Sequence, residues 1–263
     1  MFLTFRAASA ALIGGVLAVA ALAGAAPAQP EDANIRRMDG SKGMMSSELI
    51  ASGGERAASG TLVFEPWQML DDLFARDDYV LLMRHGPTDW SKRDADDVAP
   101  GDCANQRVMT EQGKREMRDL GTLMADNGLI PGKVMVSQWC RNQQTFEALL
   151  EGIARADAAA AERLRRGAET LPDLNLLLSL QGAPDVTGLR EIIMNWDGGE
   201  GDGPLLLISH YTNIEELTTF RVYEGEMLMV DPDRDGRVLG YLRLKSAAPD
   251  VGHFPNQASG DDG

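Results

Sequence analysis

Short apolar runs that alternate with helical periodicity constrain this chain more than any other feature. Runs at residues 79–83, 133–136, 204–208, 225–230 and 238–244 read as strands, and 170–174 is a weaker, optional edge candidate. Between them, residues 110–127 repeat apolar side chains at helical spacing (Met117, Leu120, Met124), with Thr110 as N-cap and Gly128 as stop. Further helices are expected over 142–155, 158–166, 186–196 and 213–220, and a short amphipathic one from Glu65 through Trp67, Leu70, Leu73 and Phe74. Strand and helix in alternation imply a three-layer α/β/α sandwich around a mostly parallel central sheet.

What precedes and follows that pattern is of another kind. Residues 1–28 combine Arg6, an uncharged apolar stretch and Ala26-Pro27-Ala28, the three parts of a secretory signal peptide. A retained membrane anchor is the alternative, since the uncharged stretch is nearly long enough to cross a bilayer. Cleavage is preferred because the run is rich in Ala and Gly and ends in small residues. Residues 29–60 read as a flexible leader, 61–245 as one domain, and 246–263 as a disordered acidic tail. Export implies a periplasmic or secreted protein with no stable membrane insertion after cleavage. The two cysteines, Cys103 and Cys140, could then pair, although an even count permits a disulfide without proving one.

The formal charge of −15 argues against nucleic acid as the main partner and against adhesion to an anionic membrane. Such a chain can still hold an anion if it concentrates positive charge locally. Asp231-Pro-Asp-Arg-Asp-Gly236 spaces carboxylates like the start of a calcium loop, but Leu242 stands where a bidentate Glu is needed, and a hairpin turn with solvated carboxylates fits better.

Only three histidines occur in 263 residues. His85 follows the first apolar run, within Arg84-His85-Gly86-Pro87-Thr88, and His210 follows the run at 204–208 through Ser209. Arg141 lies just beyond the strand at 133–136. Ligands of open α/β sheets collect at the carboxyl ends of strands, so three separate segments deliver basic side chains to one edge. His253 falls in the tail and is set aside. Metal binding suits two Arg and two His poorly, because guanidinium repels a cation and no carboxylate or thiolate stands at ligand spacing. A phosphoryl group suits them well: guanidinium forks hold its oxygens, and a neutral imidazole can attack phosphorus.

These residues carry a resemblance. Arg84-His85-Gly86 with Thr88, the S-x-x-x-R-x-x-x-T string from Ser137 through Arg141 to Thr145, and Ser209-His210 after a late strand together resemble the histidine phosphatase, or phosphoglycerate mutase-like, superfamily over about residues 77–244. The resemblance implies a phosphoglycerate mutase-like fold and a phosphohistidine intermediate on His85. It implies that Arg84 and Arg141 clamp the phosphoryl oxygens and that His210 donates a charged hydrogen bond to them. Thr88 is a candidate substrate contact or a turn-stabilising residue. Two departures stand out. Many family members carry a Glu that protonates the leaving oxygen, whereas the comparable segment here has Leu176 at that place and Asp173 as its only carboxylate, so either Asp173 acts or no dedicated acid exists. The segment Asp102-Cys103-Ala-Asn-Gln106-Arg107 resembles an exported bacterial subgroup, which implies a Cys103–Cys140 disulfide. Arg107 either extends the positive field as a substrate contact or is a surface charge near a helix end.

The expectation is therefore an exported phosphatase that acts without metal or organic cofactor on a small phosphorylated substrate: a sugar phosphate, an envelope glycan phosphate or a phosphohistidine protein. A catalytically inactive phosphoanion-binding envelope protein is the alternative class, and an anchored structural protein of the envelope is a third. Mutase activity is disfavoured outside the cytosol.

Overall fold

The structure is a computed structural model that describes residues 76–177, 179, 181–199, 203–234 and 236–246, together with the strands β1 (Ile35–Arg37), β2 (Ser47–Ile50) and β3 (Gly60–Glu65). The expected signal peptide, the helix from Glu65, and the tail with His253 lie outside the described residues.

The five strong apolar runs are all strands: β4 (Val80–Arg84), β5 (Lys133–Ser137), β7 (Leu205–Ser209), β8 (Met227–Asp231) and β9 (Arg237–Ser246). The optional edge candidate is β6 (Glu169–Leu171), which Pro172 ends by starting a 3₁₀ turn over Pro172–Leu174. Strand order is β1-β2-β3-β9-β8-β4-β7-β5-β6. The ladders β4–β7, β7–β5 and β5–β6 are parallel, and those joining β4, β8, β9, β3, β2 and β1 are antiparallel. The parallel character is thus confined to β4, β7, β5 and β6, and the carboxyl ends of the first three carry the histidine and arginine motifs. The strands β1 and β2 fall inside the segment read as a leader and extend the antiparallel side.

Helices flank the sheet. They are α1 (Glu111–Asp126), α2 (Cys140–Ala156), α3 (Ala158–Gly167), α4 (Thr187–Met194) and α5 (Tyr211–Thr218). The expected caps of α1 are present: Thr110 accepts from the Gly113 N–H at 2.8 Å, and Gly128 follows Asn127 at φ 73°, a conformation that costs a β-carbon-bearing residue energy. Alternate residues of β4 and β7 sort to two cores. Leu81, Met83, Leu206 and Ile208 pack with Met117, Leu120, Leu149 and Ile153 of α1 and α2, whereas Val80, Leu82, Leu205 and Leu207 pack with Leu189, Ile193 and Ile214 of α4 and α5. Burial on both faces explains why these strands read as unbroken apolar runs. At about 1.5–3 kcal/mol for each fully buried aliphatic side chain, the two cores hold the sheet edge that bears the site.

The turn from β8 to β9 is the expected hairpin, with one difference. Asp231 is buried and faces Arg76 and Arg234 at 3.6 and 3.4 Å, so its carboxylate is paired with cations where solvation had been expected.

Candidate active site

The site assembles because β4, β5 and β7 run parallel and stop at one edge. β4 ends in Arg84 and passes to His85, β5 ends in Ser137 four residues before Arg141, and β7 ends in Ser209 before His210. His85 continues the sheet by donating its N–H to the Ser209 carbonyl at 3.1 Å and accepting from Gly225 N–H at 2.9 Å. A β-carbon on Gly86 would stand 2.6 Å from Met117 Cγ and 2.7 Å from Met109 Cε, so both methionine side chains would have to shift, and the Gly86 N–H is held by Thr145 Oγ1 at 2.8 Å. Glycine after Arg84-His85 thus leaves room for the side chains of Met109 and Met117 that pack against the turn.

Four side chains of the expected site come together, all buried: Arg84, His85, Arg141 and His210. The two imidazole centroids are 5.6 Å apart. His85 Nδ1 lies 3.0 Å from the Gly86 carbonyl, and because a carbonyl can only accept, Nδ1 carries the proton and Nε2 keeps its lone pair. Burial, and then the positive charges of Arg141 and Arg84, hold the His85 pKa well below its ordinary value, so the ring is neutral. Burial first, then Arg141, Arg84 and Arg107, do the same to His210.

His210 is set by its neighbours on β5. Ser137 Oγ donates to Asn175 Oδ1 at 3.0 Å, so the 3.0 Å contact between Ser137 Oγ and His210 Nε2 is a donation from the imidazole. Asn175 Oδ1 also accepts from the Gln138 N–H at 2.9 Å, which fixes its acceptor role. Consequently His210 Nδ1, buried and without a hydrogen-bond partner, presents a lone pair when the ring is neutral and an N–H once it is protonated. The charged donor expected from the sequence is thus conditional: burial and the neighbouring guanidinium charges keep His210 neutral, and only a negative charge beside Nδ1 would favour its protonation.

The guanidinium groups divide their contacts. Arg84 donates from Nη1 to the Val222 carbonyl at 3.1 Å and from Nη2 to Glu224 Oε1 at 3.4 Å, and its plane lies 5.2 Å from the Tyr211 ring centre. Arg141, in the first turn of α2, uses Nη1 for both oxygens of Asp94, each at 3.1 Å, and lies 4.9 Å from the Trp139 ring. The Nε atoms of both arginines and Trp139 Nε1 are buried without a partner. Burial pushes the Arg84 pKa down to about 10 and also lowers that of Arg141, a measure of what it costs to hold two guanidinium charges there.

Arg107 is no loose surface charge. It stacks 3.8 Å over the Trp90 ring, and its Nη2 is 4.0 Å from Glu224 Oε1, inside the field of the site. Thr88 takes the turn-stabilising role: its hydroxyl donates to Glu224 Oε1 at 2.7 Å and its N–H to Oε2 at 3.0 Å, so its donors are engaged within the protein. Asp173 does not join the others. It is exposed and lines a separate cavity with Lys133, Met135, Gly188 and Glu191, on the α4 side of the sheet, because the 3₁₀ turn after β6 directs Leu174 and Asn175 inward and leaves Asp173 outside. Of the two alternatives for the acid, Asp173 or none, the position of Asp173 outside the cluster speaks against the first.

Cys103 and Cys140 form a disulfide. It joins the loop that follows β4 to the start of α2, next to Arg141. Gln106 strengthens the same junction: its amide donates to the Ala99 and Pro100 carbonyls at 2.8 and 2.6 Å and accepts from Cys140 N–H at 3.0 Å.

Two carboxylates escaped the sequence reading. Glu224 sits between a tyrosine and a glycine, without a pattern to single it out, and Asp94 is one of several acids in Lys92-Arg-Asp-Ala-Asp-Asp97. Only folding shows which acid meets which arginine. Asn175 and Trp139 were missed for the same reason, although Trp139 lies inside the second motif. Among the described residues, Arg84, Arg107 and Arg141 meet Glu224 and Asp94 here, an excess of positive charge in a chain whose formal charge is −15. The arrangement can hold an oxyanion beside a neutral, nucleophilic imidazole.

No protein-family model matches the chain, and no curated protein matches it. Solved structures do. The protein histidine phosphatase SixA complexed with tungstate is 20% identical, with 64% of this chain and 96% of that chain covered and a TM-score of 0.43. A phosphoglycerate mutase from Thermus thermophilus is 18% identical, covering 64% and 99%, with a TM-score of 0.37. A mycobacterial glucosyl-3-phosphoglycerate phosphatase is 14% identical, covering 65% and 98%, with a TM-score of 0.38. Likenesses this distant leave function to the chemistry of the site. Among the described residues, no helix is long and apolar enough to cross a membrane.

Proposed function

We propose that this chain is an exported phosphatase of the histidine phosphatase superfamily, which hydrolyses a small phosphorylated substrate through a phosphohistidine on His85. One observation carries the reading: a buried neutral imidazole with Nδ1 bound to a carbonyl stands beside two arginines whose Nε atoms are buried without partners. An oxyanion satisfies those donors and offsets the surplus positive charge. His85 Nε2 attacks phosphorus while Arg84 and Arg141 hold the equatorial oxygens, and the negative charge favours a proton on His210 Nδ1, which then donates to the same group. Water afterwards cleaves the phosphorus–nitrogen bond. The substrate is a sugar phosphate, an envelope glycan phosphate or a phosphohistidine protein. Export is supported by the amino-terminal sequence pattern and by the disulfide.

The test is hydrolysis of 4-nitrophenyl phosphate by the protein and by His85→Ala. A loss of about 10³-fold or more with the variant, and a phosphoprotein trapped on the wild type that is labile to acid and stable to base, are expected. Binding of inorganic phosphate without any turnover would favour the inactive phosphoanion-binding protein. Mass measurement of the exported protein's amino terminus checks cleavage; an intact terminus would favour an anchored protein.

A further inference from the structure

We propose that Asp94 is the proton donor to the leaving oxygen, an inference that rests on the phosphatase reading above. An alcohol leaves phosphorus as a high-energy alkoxide unless a positioned acid protonates it, and such assistance is worth about 10²–10⁴ in rate. Among the described residues, Asp173, Glu224 and Asp94 compete for the role. Asp173 faces another cavity. Glu224 is enclosed, with 6% of its side chain exposed and with Thr88 N–H, Thr88 Oγ1, Trp90 Nε1 and Arg84 Nη2 all donating to it, so a leaving group has no room to reach it.

Asp94 differs in position. It shares Arg141 with the phosphoryl group: Nη1 of that guanidinium holds both Asp94 oxygens at 3.1 Å, while Nε, buried and unpartnered, remains for the ligand. One planar group therefore spaces the carboxylate from the phosphoryl oxygens. His85 lies at the buried end of the site, with 2% of its surface exposed, and the Asp94 side chain at the open end, with 24%. In-line displacement puts the leaving oxygen opposite His85, hence toward the side where Asp94 stands. The loop is anchored for the purpose. Arg107 N–H donates to Asp94 Oδ1 at 2.7 Å, and the Cys103–Cys140 disulfide joins the loop to the helix that carries Arg141.

The proton balance closes without another reactant. A phosphate monoester has a second pKa of about 6, so a share enters as the monoanion, and its proton is the one that Asp94 relays to the leaving oxygen. The bond from His85 Nε2 to phosphorus forms as the bond from phosphorus to the leaving oxygen breaks. That oxygen keeps the electron pair and takes the proton from Asp94. In the second half, Asp94 accepts a proton from water as the water oxygen bonds to phosphorus, and the phosphorus–nitrogen bond breaks with its electron pair returning to His85.

The experiment compares wild type, Asp94→Asn and Asp94→Glu on 4-nitrophenyl phosphate, whose leaving group needs little help, and on glycerol 2-phosphate, whose leaving group needs much. With Asp94→Asn, kcat on the alkyl ester is expected to fall about 10²-fold or more and on the aryl ester less than about tenfold, with Asp94→Glu recovering part of the alkyl activity. Equal losses on both esters would overturn the proposal, as would a wild type active on aryl esters alone. So would tighter phosphate binding at unchanged kcat, because Asp94 would then merely compete with the anion for Arg141. Loss of all wild-type turnover, by contrast, would remove the phosphatase reading itself, and this inference with it.

Discussion

Arg84 and Arg141 serve one pocket, and each leans on one carboxylate, but the two pairs are built differently. Glu224 belongs to the chain just before β8, is almost fully buried, and is held by Thr88, Trp90 and Arg84. Asp94 belongs to a loop, is a quarter exposed, and is held by Arg141 and the Arg107 N–H. The inner carboxylate fastens the Arg84-to-Thr88 turn to the sheet. The outer one sits where solvent and substrate both reach it. A site that must hold charge and also exchange protons divides these tasks between a locked pair and an accessible one.

Substitution should separate the pairs. Removing the inner partner by Glu224→Gln leaves the Arg84 guanidinium buried without its counter-ion and is expected to lower unfolding free energy by about 3–5 kcal/mol, read by urea denaturation. Asp94→Asn also leaves a buried guanidinium, Arg141, without its counter-ion, but water can reach the place of the quarter-exposed carboxylate, so a smaller loss of about 1–3 kcal/mol is expected. Comparable losses for the two would break the contrast.

The outer pair depends on its loop. Replacing both cysteines by serine releases a cross-link with a sequence separation of 37 residues. The expected loss is about 3–4 kcal/mol in the chain-entropy account. Turnover should fall along with stability, because the loop carries Asp94 and Arg107 while α2 carries Arg141; activity unchanged after the double replacement would show that the loop needs no tether.

Acidity probes the shared interior. Unfolded, both imidazoles take a proton near pH 6.5, whereas in the folded protein they do so only well below that value. Between these limits the unfolded state binds more protons, so stability rises with pH and is lost as pH falls below about 6.5. Melting curves over that range should show it. His210→Asn should flatten the slope, and inorganic phosphate, which favours protonated His210, should offset it; a slope indifferent to both would mean that the histidines are not its source.

The smallest effect is expected at the rim. Arg107→Leu removes one cation from the outer wall and its stacking on Trp90, and KM for 4-nitrophenyl phosphate should rise about two- to tenfold with kcat little changed. A large drop in kcat would move Arg107 from the rim into the clamp.

The apolar runs of this chain determined its strands, because a strand buried on both faces must be apolar throughout, and β4, β5 and β7 announce themselves at once. Thr110 and Gly128 marked the limits of α1 by local backbone chemistry alone. Arg84, His85, Arg141 and His210 were legible for a related reason: each lies at or within four residues of the end of a parallel strand, and parallel strands stop together. Local pattern could not say which acids belong to those bases. Asp173, the one carboxylate of the segment where the resemblance places an acid, faces another cavity, while Asp94 and Glu224, 47 and 140 residues from the arginines they hold, define the charge of the site. Ion pairing is decided by distance in space, and for residues that far apart along the chain only the tertiary fold fixes it.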